Sequence, residues 1–266
     1  MDSNPMYKMP TIDLSAKSLL MFSQLGFFVC FAFWFAQGAE SNSDYIFPAI
    51  FAISGLVLFL SVPNSRMGVT IGIPVLMAVM ALATGNNEDI AFAVFFLLMF
   101  GPIAYLPALA SGDSTLELDD ETRVKRLGLV WLVFTLLMLL MMSCLVMAAT
   151  EGEWEEEDFD SSTYYMSIDS TQQTIAQIGL AVGVIGVLVF IITALVGAEI
   201  GPMLPWHGGA MAAGALLIGQ CLWLVADGGP DYNLVSELLF ILSLVGMIAL
   251  SPCIAYSEST DSADTE

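Results

Sequence analysis

"LVWLVFTLLMLLMMSCLVMAA" fills positions 129–149 and contains no charged side chain. A helix made from it is apolar on every side, with no polar stripe at the 3.6-residue period to face water. At 1.5 Å per residue the run covers about 30 Å, the thickness of a bilayer's hydrocarbon core. With its flanks the segment is read as 127–150. Seven more apolar segments are read at 18–37, 45–62, 67–84, 90–110, 171–198, 205–226 and 234–256. Only 12% of residues are charged and 57% are hydrophobic. Soluble domains carry about 25% charge, so no water-soluble fold of this length hides so much apolar surface. The runs do not alternate as barrel strands do. The expected class is therefore an all-α integral membrane protein, a polytopic bundle of about eight transmembrane helices.

The first segment exceeds the 7–15 apolar residues of a signal-peptide core, so it is read as a retained helix. Cleavage near "AQGA" (36–39) is the alternative.

The six basic residues are Lys8, Lys17, Arg66, Arg123, Lys125 and Arg126. With eight spans they precede helix 1, join helices 2 and 3, and join helices 4 and 5. Those regions lie on one side. Basic residues in short loops mark the cytoplasmic face, so both termini are expected in the cytoplasm of a cell-membrane protein. Arg66, Arg123, Lys125 and Arg126 are the candidates for lipid-headgroup contact. Three cations in a net-acidic loop make no nucleic-acid footprint.

The opposite side is acidic: Glu40, Asp44, Glu88, Asp89, the run "EGEWEEEDFD" (151–160), Asp169, Asp227 and Asp231. Such a surface concentrates cations. It is also what a solvated face in saline water looks like, and that reading is preferred. The run lacks the residue order of an EF-hand loop, so no calcium site is read from it.

The ends of the two halves resemble each other. Residues 95–115 align without gaps to 240–260, and matched pairs include Gly101/Gly246, Ile103/Ile248, Pro107/Pro252 and Thr115/Thr260. This predicts a parallel 4+4 repeat. A cytoplasmic segment (1–17) would precede unit 1 (18–110). A linker (111–126) would lead to unit 2 (127–256, with an acidic external loop at 151–170), and an acidic tail (257–266) would follow. Four helices per unit keep both units in one orientation, about an axis along the membrane normal.

Close helix packing is expected at Gly179, Gly183 and Gly186 of helix 6 and at Gly209, Ala210, Ala213 and Gly214 of helix 7. Small residues there let backbones approach. Pro102, Pro107 and Pro252 are expected to bend or end their helices. Gln24, Gln177 and Gln220 are expected to bond across helices.

Ionisable groups within a membrane are candidates for function. Here they are Glu237, Asp227, Glu199 and the single histidine, His207. Proton or ion binding is the sharp reading, and helix-end placement near interfacial water is the plain one. Cys30, Cys144, Cys221 and Cys253 lack metal or disulfide spacing. No HExxH or phosphate-binding glycine loop occurs, so no enzyme, metal or cofactor is expected. An intramembrane serine chemistry joining Ser54 to His207 ranks last. The leading expectation is a transporter- or channel-like protein for a small solute or ion. The alternative is a membrane scaffold or accessory subunit, whose partners would be lipids and another protein or a second copy.

Overall fold

The computed structural model describes residues 14–37, 39, 45–84, 87–151, 170–196, 203–225 and 234–263. Among them every regular element is helical: α1 (Ala16–Gln37), α2 (Ile46–Phe59), α4 (Asn87–Ser111), α5 (Asp120–Glu151), α6 (Ser170–Val196), α7 (Pro205–Val225) and α8 (Leu234–Ala263). Between α2 and α4, α3 opens as Ser65–Met67, passes through a π-helical stretch at Gly68–Gly72 and continues as Ile73–Thr84.

Among the described residues, five helices are long and apolar enough to cross a membrane: Ala16–Gln37, Ala93–Ser111, Asp120–Ser143, Ser170–Val196 and Leu238–Ala255. α2 has 14 residues, about 21 Å of rise, which falls short of the hydrocarbon thickness. α7 has sufficient length at 21 residues but opens on Pro205, Trp206 and His207.

Two boundaries differ from the sequence expectation. α5 starts at Asp120 and not near 127, because Asp119 caps it: the Thr122 amide donates to Asp119 Oδ2 at 2.9 Å. Asp120 and Glu121 then place negative charge in the first turn, where the helix dipole favours it. The RVKR cluster is thus helical. α8 likewise continues to Ala263, carrying much of the acidic tail in its last turns.

The helices place large apolar side chains outside. On α6, Ala176, Gly179, Gly183, Gly186 and Thr193 face inward, while Ile178, Ile185, Leu188, Ile192 and Leu195 face outward. On α5, Leu127, Trp131, Phe134, Met138 and Met142 are buried and Leu129, Val133, Leu136 and Leu140 are exposed. In water, such an outer surface would drive aggregation. In lipid it costs nothing, and association comes instead from close packing of small residues.

That packing is tightest between α6 and α7, the most extensive helix pair. A Cβ added to Gly186 would lie 2.7 Å from the Gly208 carbonyl oxygen. One added to Gly208 would lie 2.4 Å from the Gly186 oxygen. Gly183 faces Leu139 and Ala215, and Gly179 faces Ile218. The rest of the helix 7 stripe divides. Gly209 packs on Pro252 and Ala213 is buried, but Ala210 is exposed and nothing lies within 4 Å of a Cβ on Gly214. Helix rotation sets Gly208 and Gly209 against neighbours and turns positions 210 and 214 away.

α8 touches α1, α4, α5 and α7 and so lies at the centre. Its N-terminal half meets an aromatic cluster from α1, α2 and α4. Phe27 and Phe240 lie 5.7 Å apart between ring centroids, Phe28 and Phe100 5.8 Å, and Phe35 and Phe51 5.2 Å. Phe27, Phe28, Phe51 and Phe100 have no exposed surface.

Three buried hydroxyls among the described residues lack a hydrogen-bond partner, those of Ser65, Thr70 and Thr135. Thr135 on α5 is fully buried and its hydroxyl has no hydrogen-bond partner. A buried, unbonded hydroxyl is destabilising, so Thr135→Val should raise stability by about 1 kcal/mol, read as a shift in the denaturant midpoint.

Candidate functional site

Among the described residues, the most concentrated polar constellation joins the start of α3 to the end of α4. α4 stops because Gly112 adopts φ +67°, a left-handed conformation that glycine takes without strain. The Asp113 amide then turns back to the Ala108 carbonyl at 3.0 Å, closing a Schellman-type cap. This turn aims Asp113 at Arg66. Asp113 Oδ2 accepts from Arg66 Nη2, and Thr115 Oγ1 accepts from Arg66 Nη1 at 2.7 Å. Asp113 Oδ1 in turn accepts from the Thr115 amide at 2.9 Å and hydroxyl at 2.8 Å. Burial opposes ionisation of Asp113. The Thr115 hydrogen bonds, the Arg66 charge and a bond from Ser61 outweigh it and hold the carboxyl below its usual range.

A second arginine finishes the same helix end. Arg123 Nη1 donates to the Leu109 carbonyl at 2.9 Å, and its guanidinium pairs with Asp120 at 3.3 Å. Carbonyls at a helix C-terminus lack partners of their own and carry the negative end of the dipole, so a cation there both bonds and neutralises. Arg66 and Arg123 are each only 8% exposed. These two, which the sequence had offered for headgroup contact, direct their donors to Asp113, Thr115, Leu109 and Asp120. Lys125 and Arg126 are exposed, and Lys125 pairs with Glu121 at 2.6 Å.

Between the arginine clasp and α1 lies a recess of about 10 Å³, lined by Gln24, Ser61, Arg66, Pro107 and Asp113 among others. It has room for about one water. No substrate-sized space opens there.

His207 turns back onto the start of its own helix. Its Nδ1 accepts the Leu204 amide at 2.8 Å, reaching back over the first turn of α7 as the last member of a capping box does. Its ring lies 3.8 Å from that of Trp206. Glu199 and Asp227 lie outside the described residues. Glu237 lies in the first turns of α8, and its side chain is likewise outside them. Among the described residues, no group of three or more His, Cys, Asp or Glu side chains is placed to hold a metal ion.

Sequence reading missed Asp113 and Thr115, because an acid and a threonine after a helix are ordinary turn residues. The available signal was Gly112 followed by Asp113, a cap whose carboxylate needs a cation. Trp131 was also missed; its indole N–H donates across helices to the Ile248 carbonyl at 2.8 Å.

These features define an all-helical membrane protein. No family model, curated protein or solved structure matches the chain, so its class rests on its own residues.

Proposed function

We propose that the chain is a non-catalytic membrane scaffold or accessory subunit. It would cross the cell membrane eight times with both termini in the cytoplasm, its two four-helix units being 18–110 and 127–256. The observation carrying this reading is the close-packed centre. Where α1, α4 and α8 meet, the interior is filled by Phe27, Phe28, Phe100 and Met247, none with exposed surface. The buried arginines are bonded to the protein's own carboxylates, hydroxyls and carbonyls, which stabilises architecture. The partner would be lipid together with another membrane protein or a second copy. Nothing in the sequence suggests nucleic acid, a cofactor or a catalytic motif.

A transporter- or channel-like role is the second reading, favoured by one observation: the proline-bearing helices α4 and α8 pack on each other at the centre. Flux separates the two. Purified protein in sealed vesicles should pass no ion from a panel of monovalent and divalent cations, nor any small solute, faster than protein-free vesicles. Flux that Glu237→Gln abolishes would replace the scaffold with a transporter.

A further inference from the structure

Proline within a membrane helix creates a specific deficit. It has no N–H, so the carbonyl four residues earlier loses its helical donor, and no water in hydrocarbon replaces it. Pro107 in α4 and Pro252 in α8 leave the carbonyls of Ile103 and Ile248 in this state. Both receive a side-chain donor from another helix. Gln24 Nε2, from α1, donates to the Ile103 carbonyl at 2.7 Å. Trp131 Nε1, from α5, donates to the Ile248 carbonyl at 2.8 Å.

The correspondence goes further. Ile103/Ile248 and Pro107/Pro252 are paired in the gapless alignment of 95–115 with 240–260. α1 and α5 are the first helices of their units, as α4 and α8 are the last. Taking Gln24 as equivalent to Trp131, the buried residues Leu20, Gln24, Phe27 and Phe28 fall in register with Leu127, Trp131, Phe134 and Thr135. Helix contacts follow the same exchange. α1 with α4 corresponds to α5 with α8, α1 with α8 to α5 with α4, and α3 with α4 to α7 with α8, while α4 with α8 maps onto itself. The likeness weakens at the periphery, where α6 and α7 form the most extensive contact and α2 and α3 touch little.

We infer that each half carries one latched proline, in which the first helix of a four-helix unit satisfies a carbonyl freed in its last helix; Pro102 of α4 has no counterpart in α8. The halves are duplicates related by an axis passing between α4 and α8. This deepens the two-unit reading and rests on it for the pairing of the latches. It is independent of the choice between scaffold and transporter.

A pair of mutant cycles tests it, because alanine at the proline position restores the missing N–H. Gln24→Met removes the donor at similar volume and should lower the folding equilibrium constant about tenfold in the full-length protein in detergent. In a Pro107→Ala background the same change should cost less than about threefold, since the backbone now satisfies Ile103. Trp131→Phe should behave likewise with Pro252→Ala. Should Trp131→Phe fail to fold alone, its recovery by Pro252→Ala reads the same coupling. Equal losses in proline and alanine backgrounds in both halves would overturn the latches. Coupling in one half alone would overturn their equivalence, and with it the duplication.

Discussion

Gly186→Ala should destabilise the protein by about 3 kcal/mol, and Gly186→Leu or Gly208→Leu should prevent recovery of folded protein altogether. The magnitude follows from what the new atoms meet. A Cβ on Gly186 comes within 2.7 Å of the Gly208 oxygen and 2.9 Å of the Ala212 nitrogen. A Cβ on Gly208 comes within 2.4 Å of the Gly186 oxygen and 2.8 Å of the Phe190 nitrogen. All four obstacles are backbone atoms, so no rotamer change relieves the contact. The helices must separate, and dispersion contacts along the seam are lost at distances where the attraction falls steeply. In lipid no hydrophobic term draws them back together. Gly214→Ala is the matched control. With nothing within 4 Å it should be neutral or stabilising by up to about 1 kcal/mol, since alanine is the better helix former. Unfolding midpoints of the purified variants read both effects. A Gly186→Ala protein as stable as the parent would mean that the α6–α7 seam is misplaced.

Arg66→Met should cost about 3–5 kcal/mol, because it leaves a carboxylate with little access to water and no cation. The two side chains are 10% and 13% exposed, respectively. Arg66→Lys should recover only part of the loss: a single ammonium cannot serve Asp113 and Thr115 with the fixed fork of a guanidinium. Acid supplies a second readout. The native carboxyl of Asp113 lies below the unfolded value of 3.8, so the unfolded chain binds more protons as pH falls toward and through that value. Its contribution is fully present above 3.8 and is lost as pH falls through the native value. Asp113→Asn should therefore be less stable than the parent at neutral pH and show a flatter decline below about pH 4, where the parent loses the same interaction. Identical acid limbs in parent and variant would remove Asp113 from the set of groups governing acid stability.

How much of this was open to sequence reading depended on how local each cause is. The glycine spacing 179, 183 and 186 lies on one helix face by geometry alone, and those residues face α5 and α7 in the structure. On helix 7 the sequence named Gly209, Ala210, Ala213 and Gly214 together, whereas only Gly209 and Ala213 pack inward. In water the buried face would have been the apolar one, but in lipid both faces are apolar and the usual period carries no information. Gln24 was expected to bond across helices, and it does so to Ile103. Trp131 was invisible as a donor because tryptophan within an apolar run reads as bulk. The start of α5 was misplaced because charge in "DDETRVKR" suggested a loop, whereas Asp119 and the acidic first turn form the beginning of a helix.

The membrane class follows from consecutive residues alone, because the free energy of placing twenty uncharged side chains in hydrocarbon sums along the chain without reference to any neighbour. Which cations are buried, which glycines admit a second backbone, and which side chain reaches a proline-freed carbonyl were decided only by the tertiary structure. Each depends on helix rotation and on groups as far apart in the chain as Trp131 and Ile248, and those are brought together by packing, not by composition.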